Sequence, residues 1–307
     1  MRAAGALLLL APLLAQAAPL EPGDHALALE HGNRERHYIV HVPPRPRQPA
    51  PVILNFHGGG GHAAAQQEYS RIDALADREG FLAVYPDGTG SFNLLTWNAG
   101  PTWCGYAAAN KVDDVGFTAA LIDDLAARIP IDAKRVYATG LSNGAMMAYR
   151  LAAELPNRIA AIAPVAGAMQ QPGPIAHAVP VLHIHSVDDP RALYEGGLGP
   201  PFPMTNTRVQ HPAVSETLAR WSAANGCKGE PRVAEERKGT GDSAGHTAMH
   251  LVYPGCAAAL EHWKLTGAGH VWPGGKLRYL TRLLGPGTGV IDANAEMWRF
   301  FSRVAAP

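Results

Sequence analysis

Charge of one sign is missing from this chain. Lys plus Arg and Asp plus Glu each number 26 in 307 residues, for a formal net charge of zero. Without a basic excess there is no electrostatic footprint for nucleic acid or for an anionic lipid surface. Cysteine is scarce too. Cys104, Cys227 and Cys256 are the whole supply, no Cys-x-x-Cys pair occurs, and no metal site is expected. Beyond the first residues no apolar run is long enough to cross a bilayer, so no membrane span is expected in the mature chain. Repeats, low-complexity linkers and breaks in composition are lacking as well. The reading is one domain from residue 18 to residue 307. Nothing in the sequence sets an oligomeric state.

What is present begins with a short leader. Met1-Arg2 is a positive start, Ala3 to Leu14 is apolar, and Ala15-Gln16-Ala17 supplies the small-x-small pattern of a signal-peptidase site. Residues 1–17 are expected to be a secretory signal peptide cleaved near Ala17, giving a secreted or periplasmic protein. No Cys stands at the cleavage site for a lipoprotein anchor. Export permits a disulfide. Cys227 ends an expected helix and Cys256 an expected strand, so that pair is expected to bond and leave Cys104 free.

Hydrophobic residues make up 47% of the chain, ordinary for a protein with a full core. Short apolar runs at Pro51–Phe56, Phe81–Tyr85, Arg135–Ala138, Ile159–Val165, Pro180–Ile184, His246–Tyr253 and Leu260–Leu265 read as strands. A hairpin, Asp24–Leu29 with His37–Val42, precedes them. Helical spacing marks Ser70–Arg78, Val115–Ile129, Ala145–Leu155, His211–Asn225 and Asp292–Val304. The alternation calls for a mostly parallel sheet with helices on both faces. The stretch from Pro86 to about Asn110 reads as loop, and so does Asp188 to Pro212, whose length makes it a candidate lid.

Two places match G-x-S-x-G. Gly140-Leu141-Ser142-Asn143-Gly144 lies between an expected strand and an expected helix. A serine hydroxyl is a weak nucleophile until a base takes its proton, and a sharp strand-to-helix turn presents it to one. The amide of Asn143 would then face the developing oxyanion. Gly241-Asp242-Ser243-Ala244-Gly245 has no strand expected before it and a strand after it, and reads as a mobile surface turn. Ser142 is therefore the candidate nucleophile. His57-Gly58-Gly59-Gly60 follows a buried strand, and Gly58 or Gly59 would supply the second oxyanion N–H. Asp188 and Asp189 follow the strand Pro180–Ile184, where a carboxylate can orient an imidazole. Asp113 and Asp114 precede Ser142 and suit a helix N-terminus better. Among fourteen histidines, His270 alone combines a late position, a Gly-rich loop and the order Ser, acid, His.

Taken together, NFHGGGG at 55–61, WNAG at 97–100, VDDVGF at 112–117, GLSNGAMMAYRLA at 140–152, HIHSVDDP at 183–190 and GAGHVWPGG at 267–275 resemble the bacterial exported polyhydroxybutyrate depolymerase and feruloyl esterase group, similar to carbohydrate-esterase family one. These segments run in order along nearly the whole mature chain. The resemblance implies an α/β-hydrolase fold, a triad of Ser142, Asp189 and His270, an acyl-enzyme and no cofactor. The family's His-Gly-Thr-x-Asp pattern maps onto His185–Asp189, with Ser186 in place of the Gly, and selects Asp189 over Asp188. Where many relatives carry Cys-Cys-Gly, this chain has Trp103-Cys104-Gly105. The expected partner is an ester: polyhydroxyalkanoate oligomers or polyester, or feruloyl and acetyl esters of polysaccharide. Trp97, Trp103 and Trp272 are candidate pocket walls. The competing readings are a non-catalytic ligand-binding protein on the same scaffold and a serine peptidase.

Overall fold

A computed structural model describes residues 20–101, 105–202 and 206–304. The expected signal peptide, Trp103 and Cys104 lie outside the described residues. Ten strands form one sheet: β1 (Gly23–His31), β2 (Arg34–Val42), β3 (Ala50–Phe56), β4 (Leu82–Pro86), β5 (Ile131–Leu141), β6 (Ala161–Val165), β7 (Val181–Ser186), β8 (Arg232–Lys238), β9 (Thr247–Val252) and β10 (Leu260–Thr266). Their order is β1-β2-β4-β3-β5-β6-β7-β10-β9-β8. From β4 to β10 the pairing is parallel, and an antiparallel hairpin closes each edge.

The buried parallel strands are the ones that read as unbroken apolar runs. β3, β4, β6 and β7 are buried at every position, as strands covered on both faces must be. On one face pack α3 (Asp114–Arg128), α4 (Asn143–Glu154) and α5 (Val214–Ala224), through Phe117, Met146 and Trp221. On the other pack α1 (Ala63–Ser70), α2 (Asp73–Glu79) and α6 (Ala293–Arg303), through Leu75, Met297 and Phe301.

Three expectations change. The single helix read over Ser70–Arg78 is two helices. Arg71 takes a left-handed φ of 57°, its amide bonds Gln67 O at 3.0 Å, and the first helix stops there. The stretch after Pro86 contains a short hairpin, Thr89–Ser91 with Leu94–Thr96. Strand β8 was not expected at all. Its sequence RVAEERK is mostly exposed and charged, which suits an edge strand that must not pair with another chain.

A Cys227–Cys256 disulfide joins the end of α5 to the turn after β9. Among the described residues no helix is long and apolar enough to cross a membrane.

Candidate active site

Chain order puts β4 on one side of β3 and β6 on the far side of β5, so the connections leaving β3 and β5 run in opposite directions. Crevices open at such a switch point, outside the carboxyl ends of the strands. Phe56 of β3 pairs with Gly140 of β5. That register sets the glycine loop after β3 beside the turn after β5.

Ser142 occupies this turn with φ 57° and ψ −115°, between the last residue of β5 and the first of α4. A non-glycine residue there is strained by about 1–3 kcal/mol and persists only where its surroundings hold it. Here Ser142 N donates to Val165 O at 2.9 Å and Met146 N donates to Ser142 O at 3.0 Å. A Cβ on Gly140 or on Gly144 would overlap the carbonyl oxygen of Phe56, so both glycines are needed for the turn to lie against β3.

The glycine loop is fastened by His57. Its Nδ1–H donates to Gly58 O at 2.8 Å, and its Nε2 accepts Gly88 N–H at 3.0 Å. Burial pushes its pKa down to about 4, so the ring stays neutral and this proton arrangement is kept. Gly61 N–H also donates to Gly58 O at 2.9 Å, while Gly60 N–H is taken by Leu95 O at 2.8 Å. The amides of Gly58, Gly59 and Asn143 have no acceptor among the described residues. In a planar trans peptide the N–H of Gly59 points opposite to the doubly held carbonyl of Gly58, so its direction is set.

Asp189 is buried, and its carboxylate is saturated. Oδ1 accepts the amides of Arg191 at 2.7 Å and Ala192 at 2.9 Å; Oδ2 accepts His270 Nδ1–H at 2.7 Å and lies 3.3 Å from His185 Nε2. Burial alone would raise its pKa. The charge of His270 and the hydrogen bonds from His185 and His270 outweigh burial and hold the carboxyl well below the usual range. Asp188 is exposed and instead accepts Gly267 N–H at 2.6 Å. Of the two neighbouring acids, Asp189 is the one that meets His270.

Ser142, His270, Gly58 and Gly59 all line one cavity of about 490 Å³. Its remaining walls are largely apolar, among them Leu94, Leu141, Phe202, Val209 and Tyr279. The Asp188–Pro212 segment supplies one side of it. His211, which the sequence did not single out, also lines the cavity. Burial, then the neighbouring charge of His270, pushes its pKa down to about 4.

Two of the three candidate tryptophan walls are corrected. Trp97 is fully buried, and it is a clamp. Its Nε1–H donates to His57 O at 3.0 Å, while its backbone amide and carbonyl bond the Asn143 side chain at 2.7 and 3.2 Å. One residue thus ties the glycine loop to the serine turn. Trp272 is also buried, with Nε1–H on Asn294 Oδ1 at 2.9 Å and its amide on Tyr69 Oη at 2.9 Å. A large apolar ring with one N–H satisfied inside the core is a packing residue. Trp103 lies outside the described residues.

The second G-x-S-x-G also differs from expectation. Strand β8 leads up to it, and Ser243 is 4% exposed at the end of a short helical turn. Its Oγ accepts Gly289 N–H at 2.7 Å, so it is a fixed structural hydroxyl and not a mobile surface turn.

Asp113 caps α3 by accepting Gly116 N–H at 2.8 Å, and Asp114 pairs with buried Arg36 at 2.8 Å. Among the described residues one group could reach a metal ion. Asp24, His41 and Asp73 bring ligand atoms within 4.8 Å of one another, away from the cavity. His41 there already bonds Asp24 at 2.6 Å and Asp77 at 2.9 Å.

Comparison with known proteins gives the family and the fold. The family model described as esterase PHB depolymerase matches residues 37–212. NocK of Nocardia uniformis subsp. tsuyamanensis is 32% identical over 266 residues, covering 82% of this chain and 75% of its own. Feruloyl esterase B of Piromyces equi is 28% identical over 192 residues, or 60% of this chain, and the match spans only 34% of that protein. Acetyl xylan esterase from Aspergillus awamori superposes with a TM-score of 0.59 at 15% identity, over 87% of this chain and 94% of its own, which speaks for the α/β-hydrolase fold.

Proposed function

We infer the reaction from one premise: this chain belongs to the PHB depolymerase family of esterases. On that footing it is a serine hydrolase of carboxylic esters, working through Ser142, Asp189 and His270. The observation that carries this reading is the convergence on one cavity of a strained serine, a carboxylate-held imidazole and amides without acceptors.

With Nδ1–H committed to Asp189, the other nitrogen of His270 is the basic one. It takes the Ser142 proton as Oγ attacks the ester carbonyl. The amides of Asn143 and Gly59 receive the oxyanion; Gly59 is favoured over Gly58 because its peptide is pinned from the carbonyl side. Such donors each lower the barrier by about 3–4 kcal/mol. His270 then protonates the leaving alcohol, and water activated by the same ring hydrolyses the acyl-enzyme. No step calls for a cofactor.

The mostly apolar walls suit an ester with an apolar acyl group, such as a hydroxyalkanoate oligomer or a feruloyl ester. Export as a secreted or periplasmic protein, after loss of residues 1–17, is consistent with the Cys227–Cys256 disulfide. A fluorophosphonate, followed by peptide mapping, tests the assignment. Labelling at Ser142 with turnover of p-nitrophenyl esters supports it. Stoichiometric ligand binding without turnover, or cleavage of peptide amides in preference to esters, overturns it.

A further inference from the structure

Behind Asp189 a file of buried polar rings continues the hydrogen bonding away from the cavity. Tyr149 Oη lies 2.8 Å from His183 Nδ1, and His183 Nε2 lies 3.1 Å from His185 Nδ1. His185 Nε2 reaches Ala192 O at 2.8 Å and Asp189 Oδ2 at 3.3 Å. Tyr149, His183 and His185 all lie in the core, on α4 and β7.

The acceptors at the end of this file dictate the protons along it. A carboxylate and a carbonyl can only accept, so His185 Nε2 must carry the hydrogen. In a neutral imidazole the other nitrogen is then an acceptor, and His183 Nε2–H must donate to it. His183 Nδ1 is left to accept, and the Tyr149 hydroxyl donates. Every link agrees with the next. Both outer members also keep the required form. Burial, then His185 and His262, hold the pKa of His183 well below its ordinary value, and burial holds that of Tyr149 well above. Other groups facing the file include His262, whose Nδ1–H donates to His183 O at 3.0 Å, Tyr194, which bonds His262 Nε2 at 2.9 Å, Tyr253 beside Tyr149, and His211 near His185.

We infer that His185 is a positioning residue for the triad acid, its Nε2–H fixing Asp189 Oδ2 toward His270, and that Tyr149 and His183 enforce the tautomer in which it can do so. This rests on the triad proposed above. The physical case is that two amides hold Oδ1, while at Oδ2 His185 is the group besides His270 that lies close enough, among the described residues, to resist a residual tilt of the carboxylate. A tilt there moves the imidazole, and misplacement by about 1 Å can cost on the order of 100-fold in rate.

The test combines kinetics with ¹⁵N NMR of histidine-labelled protein, using the His185→Gln spectrum to assign the His185 signals among fourteen histidines. The expected wild-type signature is an Nε2–H tautomer at His185. His185→Leu, which has no donor, is expected to lower kcat about 10- to 100-fold with KM within about twofold. His185→Gln, whose amide N–H can stand where Nε2–H stood, is expected to recover most of it. Tyr149→Phe removes one hydroxyl far from Ser142 and keeps the ring. It is expected to mix the His185 tautomers and lower kcat by about threefold at unchanged KM. A His185→Leu variant that fails to fold leaves the decision to Tyr149→Phe. An Nδ1–H tautomer in the wild type, or Tyr149→Phe with wild-type tautomer and kcat, overturns the inference. So does equal impairment of His185→Leu and His185→Gln. Because the NMR signature is read without substrate, absence of ester turnover in the wild type would instead count against the proposed reaction.

Discussion

Ser142 and Ser243 stand at the centre of the same five-letter pattern. Ser142 follows a buried central strand, takes φ 57°, opens α4 and lines the cavity. Ser243 follows an exposed edge strand, ends a three-residue helical turn and accepts the amide of Gly289. The glycines differ as well. A Cβ on Gly144 would overlap backbone, whereas Gly245 has φ +88° and open space around it. The first motif is a packing constraint imposed by β3; the second is a fixed structural turn that happens to spell the same letters. A hydroxyl becomes chemistry where strain, free amides and a base meet, and only tertiary structure brings those together.

The largest effect should separate the two serines outright. Ser142→Ala is expected to lower kcat on a p-nitrophenyl ester by about a million-fold with the melting temperature preserved. Ser243→Ala should leave kcat unchanged. Equal activity in both would dissolve the comparison. The neighbouring acids sharpen it next. Asp189→Asn leaves His270 without its acceptor and is expected to cost three to four orders of magnitude in kcat, roughly. Asp188→Asn touches only the Gly267 amide at the surface and should run near the wild-type rate.

The glycines come third. Gly144→Ala forces the serine turn away from Phe56. The expectation is a loss on the order of 100-fold in kcat, with destabilisation of about 1–3 kcal/mol. Gly245→Ala meets no atom but must hold φ +88°, so it should cost about 1 kcal/mol of stability and no activity. Activity assays paired with thermal melts read both.

How far the sequence reaches follows the same division. The parallel strands were legible because burial on both faces leaves an unbroken apolar run, as in Pro51–Phe56. Strand β8 was not, because an edge strand reading RVAEERK has no apolar face to show. The break between α1 and α2 at Arg71 carries no glycine to mark its left-handed turn. Ser142 and His270 were legible from motif, context and order. The choice of Asp189 over Asp188 was reachable through family resemblance, and the bond to His270 gives its geometric reason. Trp97 was misplaced, since composition cannot tell a ring facing a cavity from one clamping two loops. His57 was legible as part of a motif but not as its fastener, because the partners Gly88 and Trp97 are distant in sequence. His185 opens the family's acid pattern, but nothing in that pattern shows that its ring lies behind Asp189; His211 gave no distinguishing signal among fourteen histidines.

The smallest effect is the one that tests whether Ser243 has any role at all. Its Oγ takes the Gly289 amide at 2.7 Å, and it thereby ties the turn after β8 to the segment that leads from His270 into α6. Ser243→Ala leaves that amide near solvent, where water can replace the lost acceptor. The cost should therefore be about 1 kcal/mol, near the net value of one hydrogen bond, and not the larger penalty of a stranded buried donor. In a chain of this size that is a fall of about 2 °C in melting temperature. Ser243→Thr, which keeps the hydroxyl, should recover part of it if the hydrogen bond is the cause. A melting temperature unchanged in Ser243→Ala would mean that the second motif contributes nothing to the fold, leaving the two serines further apart than their geometry already places them.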